Sequence, residues 1–439
     1  MRRTDTIFAL ASGAGRAGVA LIRVSGPAAG FCVKGLTRKQ IPPPRRAVLR
    51  SLKAGDGTLI DRGLVLWFAA PASLTGEDVA EFHVHGGRAV IDAVASELAA
   101  IPGVRPAEPG EFTRRAVENG KFDLTQAEAI ADLVDAETEA QRRQALRQYD
   151  GALGVLYESW RSELLRALAW AEAVIDFSDE ELPGDVIADA RQIAENVSGA
   201  VNAHLGDARR GELVREGLFV AVIGPPNAGK SSLVNALAGR DVAIVSETAG
   251  TTRDVIEVRL DLGGYAVVLA DTAGLRAARS AVEAEGVRRA LARAEAADLV
   301  LLIRDGSQVI SQVDMPENMV NKPSLTVWNK ADLRWPEPRE GLHLSLKTGA
   351  GLDCVVNAIA AQAKKQLDAP SEAPPLTRAR HRAALVEAAG HLARARSATE
   401  QELFAEDLRL ATRAIGRITG RVDVEDLLDV VFRDFCIGK

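Results

Sequence analysis

GPPNAGKS, residues 224–231, has the pattern GxxxxGK(S/T) and stands between two periodicities. Before it runs the apolar segment LFVAVI (218–223), which reads as a buried strand; after it KSSLVNALAG (230–239) reads as a helix. Glycines let such a loop curl until its N–H groups point at phosphate oxygens, and the helix N-terminus adds its positive end. An ordinary strand–turn–helix would share the glycines but not the lysine and hydroxyl. The expected phosphate contacts run through Asn227, Ala228, Gly229, Lys230, Ser231 and Ser232. Lys230 would reach the β- and γ-phosphates, and the Ser231 hydroxyl would ligate Mg²⁺.

Two further motifs follow, each at the end of a strand-like run. DTAG (271–274) ends YAVVLA, and NKAD (329–332) ends LTVW. Asp271 can hold the Mg²⁺ through water, and the Gly274 N–H can sense a γ-phosphate. The Asp332 carboxylate can accept from guanine N1–H and from its 2-amino group, which adenine cannot offer, so the nucleotide is expected to be GTP. Asn329 and Lys330 complete that motif, and SLK (Ser345, Leu346, Lys347) can back guanine O6 with backbone N–H groups. Three motifs in this order, at the carboxyl ends of strands, mark the ligand edge of an α/β sheet. Between the first two lies AGTTRD (249–254), a polar loop placed where a threonine hydroxyl can give a second Mg²⁺ ligand. Signalling GTPases place a water-orienting glutamine after DTAG, but here that position is Leu275. The acidic residues that follow, Glu283 and Glu285, are candidates for the task, or are simply a solvated helix face.

Outward from this segment the pattern changes on both sides. Strand and helix signals alternate over 218–375, which predicts a mostly parallel sheet with crossover helices on both faces. The Pro-rich stretch APSEAPPLTRAR (369–380) closes it. Residues 119–217 and 376–439 read as amphipathic helices; DLTQ…LRQY (123–149) reads as long helix with Asp123 as its N-cap. The simplest assembly packs the two helical stretches together around an inserted α/β unit, although two separate helical domains would also fit. Residues 1–118 mix strand runs such as GVALIRVSG and VAEFHVHGG with a helix over 88–101, an α+β pattern. The fold class is therefore multidomain, α/β plus α.

Composition limits the rest. A formal charge of −6 confines nucleic-acid binding to local basic patches. Three cysteines make no disulfide framework and no Cys/His metal spacing, which points to a reducing cytosol. Neither a signal peptide nor a membrane-length apolar run is expected. His83 and His85 share a strand face, but no third metal ligand accompanies them. The chain ends VVFRDFCIGK (430–439). The spacing of Cys436 imitates a prenylation box, but Gly438 and the final Lys439 do not suit one.

With these motifs the chain resembles the MnmE (TrmE) tRNA-modification GTPase family. GRAGVALIRVSG (15–26), LTGEDVAEFHVHGG (74–87), PGEFTRRAVENGKFDLTQAEAIADLVDA (109–136), the run 224–254, DTAGLR (271–276) and FCIGK (435–439) carry the resemblance in order. It implies a folate-binding and dimerising N-terminal domain, a discontinuous helical domain and an inserted G domain. It implies a homodimer that joins the flavoprotein MnmG, which carries FAD, in a heterotetramer acting on tRNA. The product would be an aminomethyl or carboxymethylaminomethyl group at C5 of the wobble uridine, from 5-formyl- or methylene-tetrahydrofolate. Folate contacts would fall on Arg23, Glu81, Lys121 and Lys439. Potassium-stimulated hydrolysis would use Asn227, Ser246, Thr248 and Thr251 for K⁺, Thr252 for Mg²⁺ and Glu283 to orient water. The resemblance places Cys436 on the last helix, brought back to the folate-binding region of the dimer, as either a nucleophile or proton-transfer group at uridine, or a small apolar anchor for the tail. Leu346 departs from the small residue usual at its position.

Two other functions share part of this pattern. A ribosome-assembly GTPase would carry every nucleotide motif, and GRAG (15–18) matches the bare GxxG of an RNA-binding KH loop. A folate-dependent one-carbon transferase merely regulated by GTP would also fit.

Overall fold

The computed structural model describes residues 5–13, 15–176, 185–207, 209–225, 227–240, 242–244, 257–271, 295, 297–308, 321–333, 335, 339–368, 374–422, 428, 431–432, 435 and 437–438. Its contacts form two compact units. The first comprises Met1–Ala131, Tyr149–Leu165 and Thr412–Lys439; the second comprises Asp132–Gln148 and Arg166–Ala411.

The first unit is built on a six-stranded sheet. Its elements are β1 (Thr6–Leu10), β2 (Ala17–Ser25), α1 (Ala29–Thr37), β3 (Val48–Lys53), β4 (Leu59–Phe68), β5 (Val79–Gly86), α2 (Arg88–Ala99) and β6 (Val104–Pro106). The strand order is β3-β4-β5-β2-β1-β6, antiparallel except where β1 meets β6. Period-two alternation decides the faces. Ala20, Ile22 and Val24 of β2 join Ala80, Phe82 and Val84 of β5 in a core with Val33 and Leu36 of α1 and Val94 and Leu98 of α2. The intervening positions, Arg23 on β2 and Glu81, His83 and His85 on β5, therefore belong to the opposite face.

α3 (Glu111–Glu118) starts at Gly110, whose φ of +65° favours glycine. It brings a buried ion network to the sheet. Arg115, 1% exposed, reaches Glu111 at 2.9 Å, Asp5 at 3.1 Å and Glu77 at 3.3 Å. Arg105 grips Glu111 with two nitrogens, at 2.6 and 2.9 Å. Burial alone would raise the Glu111 carboxyl, but the bonds from Arg105, the Glu108 N–H and Arg115 hold it down to about 2. The folded value lies below the unfolded one. This stability is thus complete above about pH 4.5 and is lost as pH falls from there towards 2. It is worth on the order of 3 kcal/mol. Arg115→Ala leaves Glu111 with Arg105 but removes the cation beside Glu77, which keeps only the Ser25 hydroxyl, and is expected to cost about 3 kcal/mol. Calorimetry should show its first transition lowered at pH 7, with the deficit shrinking at pH 3; equal melting of both proteins at pH 7 would contradict this.

The helical stretch comprises α4 (Leu124–Val134), α5 (Glu139–Tyr149), α6 (Ala152–Asp176), α7 (Val186–Leu205) and α8 (Arg210–Glu216). Asp123 does cap α4, its carboxylate accepting the Gln126 N–H at 2.9 Å. The single helix expected over 123–149 is broken, however, at residues 135–138. Thr138-Glu-Ala-Gln141 forms a capping box there: Gln141 Oε1 accepts the Thr138 N–H at 3.0 Å while the Thr138 hydroxyl faces the Gln141 N–H.

In the second unit, β7 (Leu218–Ile223), α9 (Lys230–Ala238), β8 (Glu257–Leu262), β9 (Tyr265–Asp271), β10 (Leu299–Asp305), β11 (Ser324–Asn329) and β12 (Leu342–His343) make a sheet of order β12-β11-β10-β7-β9-β8. Only the β8–β9 pair is antiparallel. Both faces are covered, as a parallel sheet requires. Leu218, Val220 and Val222 of β7 enter one core with α10 (Leu352–Leu367), while Ala221 and Ile223 enter another. α11 (Ala379–Ser397) packs on α7, and α12 (Gln401–Thr419) follows. The helices on either side of the α/β segment thus pair, and that segment is inserted between them in the chain.

Candidate functional site

The described parts of the nucleotide motifs lie at the carboxyl ends of β7, β9 and β11, beside β10. At Gly224 φ is +155°, and a Cβ would lie 2.1 Å from the Ile303 carbonyl oxygen of β10. No side chain fits there, so the loop can leave β7 pressed against its neighbour. Gly229, φ +105°, is the N-cap of α9, and a Cβ there would stand 2.5 Å from Asn329 Nδ2. Asn227 is exposed and itself left-handed, at φ +61°. Lys230 lies over the loop, its ammonium donating to the carbonyls of Gly224 and Pro225, both at 2.9 Å. Ser231 and Ser232 are exposed in the first turn of α9.

The guanine-side motifs are wired to this loop. Asn329 donates through Nδ2 to the Ala228 carbonyl at 2.8 Å and accepts at Oδ1 from the Leu346 N–H at 3.2 Å. One side chain thus fixes the phosphate loop to the 345–347 loop. Asp332 is exposed and accepts the Ser345 hydroxyl at 2.7 Å. That bond, with the charges of Lys347 and Lys330, holds its carboxyl below the usual range, so the acceptor stays ionised. Lys330 turns to Asp305 at the end of β10. The Ser345 N–H is taken by the Ala350 carbonyl at 2.9 Å, and the Leu346 N–H by Asn329. Of the three amides expected to back O6, that leaves Lys347. Leu346 also has a physical reason to be large: its Cδ1 would meet a Cβ on Gly229 at 2.9 Å, so it roofs the phosphate-loop glycine. Asp271 ends β9 in register with Val222. Ser246, Thr248, Thr251, Thr252, Gly274 and Glu283 lie outside the described residues, as does the Asp271 side chain.

A second cluster occupies the N-terminal sheet. Arg23 and Glu81 are cross-strand partners, with Nε to Oε1 at 3.0 Å, and the guanidinium lies 5.7 Å from the Phe112 ring centroid. Lys121 donates to the Pro71 carbonyl at 3.0 Å and does not touch this pair. It belongs to the same wall, because Asn119 holds the Thr75 carbonyl and the Thr75 hydroxyl meets Ser25 on β2 at 2.7 Å. His83 Nε2 is 3.5 Å from Glu81, while His85 Nδ1 is 2.8 Å from Asp61. The two histidines thus have separate carboxylates, and no group of three metal-ligating side chains converges among the described residues.

The tail returns to the N-terminal sheet, the region to which the family resemblance brings it. Ile437 bridges Pro109 antiparallel, and Phe432 and Phe435 enclose Gly110, the residue that starts α3. Gly438, φ +101°, lies so close to β1 that a Cβ would be 2.2 Å from the Leu10 carbonyl oxygen. Cys436 and Lys439 lie outside the described residues. Of the other cysteines, Cys354 is exposed, and Cys32 is buried, its thiol pushed up by burial to about 11 and unreactive. A cavity of about 500 Å³ in the second unit is lined by Gln144, Arg215, Phe219 and Asp298. It opens at the amino ends of β7 and β10, away from the edge where such sheets bind ligands.

Two family models match the chain. One, described as GTP-binding protein TrmE N-terminus, covers residues 6–121; the other, described as MnmE helical domain, covers 124–436. The tRNA modification GTPase MnmE of Parvibaculum lavamentivorans is 57% identical over 441 residues, spanning 99% of this chain and 100% of that one. The protein of the same name from Paramagnetospirillum magneticum is 53% identical over 442 residues, with the same coverage. Among solved structures, a variant of Aquifex aeolicus Era bound to GDP·AlF₄⁻ is 26% identical over 39% of this chain and 66% of that one, with a TM-score of 0.26.

Proposed function

The chain belongs to the MnmE family of tRNA modification GTPases, and from that membership we propose that it hydrolyses GTP to drive modification of the wobble uridine at C5. A tetrahydrofolate derivative, 5-formyl or methylene, donates the one-carbon unit, and MnmG is the flavoprotein partner in a heterotetramer. Two copies pair through their N-terminal domains, residues 1–118. Helical segments 119–217 and 376–439 flank the G domain, 218–375. The site of action is the cytoplasm; no described helix is long and apolar enough to cross a membrane. The observation that best supports this reading is the pairing, in one chain, of the Asn329-braced nucleotide loop with an Arg23–Glu81 cluster beside the returning tail. The ribosome-assembly reading loses its ground with family membership.

Each residue has a task in this account. Asp332, Ser345 and the Lys347 amide select guanine, and Lys230 meets the phosphates. Ser231 and Thr252 would hold Mg²⁺, with Asp271 behind its water. Asn227, Ser246, Thr248 and Thr251 would hold K⁺; the exposed, left-handed Asn227 on the loop suits that role. Bound there, these cations supply positive charge against the charge that develops on the phosphates. Arg23, Lys121 and Lys439 can pair with glutamyl carboxylates, and Glu81 can accept from pterin N–H groups.

Asp332→Asn is expected to weaken GTP and favour xanthosine triphosphate, because an amide replaces one acceptor oxygen by a donor. Competition binding reads this directly, and unaltered GTP preference would refute the guanine assignment. Since Leu275 cannot orient water, hydrolysis is expected to fall when sodium replaces potassium at equal ionic strength. Glu283→Ala should lower kcat with little change in GTP affinity. Equal rates in the two salts would remove the cation, and a normal kcat would remove Glu283.

A further inference from the structure

In a chain of formal charge −6, residues 6–55 contain no Asp or Glu, yet carry Arg16, Arg23 and seven further cations between Lys34 and Lys53. Those seven gather around one edge of the N-terminal sheet. Lys34 lies on α1, Arg38 is its left-handed C-cap, and Lys39 follows. Arg45 and Arg46 lie in the loop leading to β3, and Arg50 and Lys53 lie on β3 itself. β3 is an edge strand, paired only with β4. Six residues at about 3.3 Å each make a charged margin roughly 17–20 Å long.

These cations have no carboxylate partners among the described residues. Arg38 donates to the carbonyls of Ala54 and Gly55, Arg45 to that of Ala72, and Arg50 to that of Leu49. The nearest acids are engaged by turn amides, Asp56 by the Thr58 N–H and Glu97 by the Gly55 N–H. Many arginines elsewhere meet a carboxylate, as in Arg115–Glu111, Arg215–Asp132 and Arg382–Glu212. Charges on an edge strand also block strand addition, but that accounts only for Arg50 and Lys53. The other five stand on α1 and the loop, all exposed. Among them lies an aromatic ring: Phe31 is 62% exposed, one helical turn before Lys34. Cations without a carboxylate partner, beside an exposed ring, are what a ribose-phosphate backbone with an accessible base requires.

We propose that this margin, α1 with the 38–47 loop and β3, is a docking surface for the phosphate backbone of tRNA. The inference rests on the reading of tRNA as substrate and adds where it binds. Each lysine or arginine neutralises one phosphate, so affinity falls with salt in proportion to the contacts made.

The test is tRNA binding by the full-length protein across a salt series, with Lys39→Ala/Arg46→Ala against Lys364→Ala/Lys365→Ala, an equal loss of exposed charge on α10. The first variant is expected to bind about tenfold more weakly at 150 mM salt and to reduce the log–log slope by roughly 1.5, with GTP hydrolysis and melting unchanged. The second is expected to match wild type. Phe31→Ala should weaken binding equally at every salt concentration, leaving the slope intact. Unchanged affinity and slope in Lys39→Ala/Arg46→Ala would overturn the proposal. So would normal tRNA binding with lost modification, which would make this face a dock for a protein partner. Failure of the wild-type protein to bind tRNA at all would instead defeat the functional reading beneath it.

Discussion

Gly229→Ala is expected to abolish GTP hydrolysis and to weaken GTP binding by at least about 100-fold, the equivalent of roughly 3 kcal/mol. Two penalties coincide. At φ +105° an L side chain is strained wherever space exists, and here space does not exist. The new methyl would lie 2.5 Å from Asn329 Nδ2 and 2.9 Å from Leu346 Cδ1. Asn329 is the joint between the phosphate loop and the guanine-side loop, so displacing it loosens both at once. Gly239→Ala is the control. It stands at the other end of α9, at φ −81°, with its nearest neighbour 3.5 Å from an added Cβ. It should bind GTP like wild type. Wild-type affinity in Gly229→Ala would mean that the loop does not hold phosphate in this form.

If Cys436 does chemistry at uridine, Cys436→Ser is expected to abolish tRNA modification while GTP hydrolysis and melting temperature stay near wild type; if it only anchors the tail, modification and stability should fall together. The residues around position 436 already anchor the tail: Phe435 is 8% exposed against Phe432 and Gly110, Ile437 bridges Pro109, and Gly438 lies under Leu10. Serine is close in size but a far weaker nucleophile near neutral pH. Gly438→Ala provides the contrast, since its Cβ would stand 2.2 Å from the Leu10 oxygen and should release the tail. It should lose modification together with stability. Full modification by Cys436→Ser would rule out the catalytic role.

How much of this could be read in the sequence depends on the range of the interaction. The phosphate loop, DTAG and NKAD are local strings whose strand and helix context is also local. The face shared by Arg23 and Glu81 follows from period-two alternation, but their pairing needs the β2–β5 register, which no local pattern supplies. The break between α4 and α5 was legible as a capping box, TEAQ, which the continuous helical periodicity concealed. Other features were out of reach. Arg115 gathers Asp5 and Glu77 across 110 and 38 residues. The tail's return to Pro109, across more than half the chain, follows from the family resemblance and from no local pattern. Asn329 reads as a guanine-motif residue, and only the fold shows it bracing the phosphate loop.

The central claim is tested most directly by mass analysis of tRNA nucleosides from cells that lack this protein. The account predicts that aminomethyl and carboxymethylaminomethyl groups disappear from C5 of the wobble uridine, and return when the wild-type chain is supplied. They should not return with Gly229→Ala. Wobble uridines that remain fully modified in the absence of the protein would contradict it.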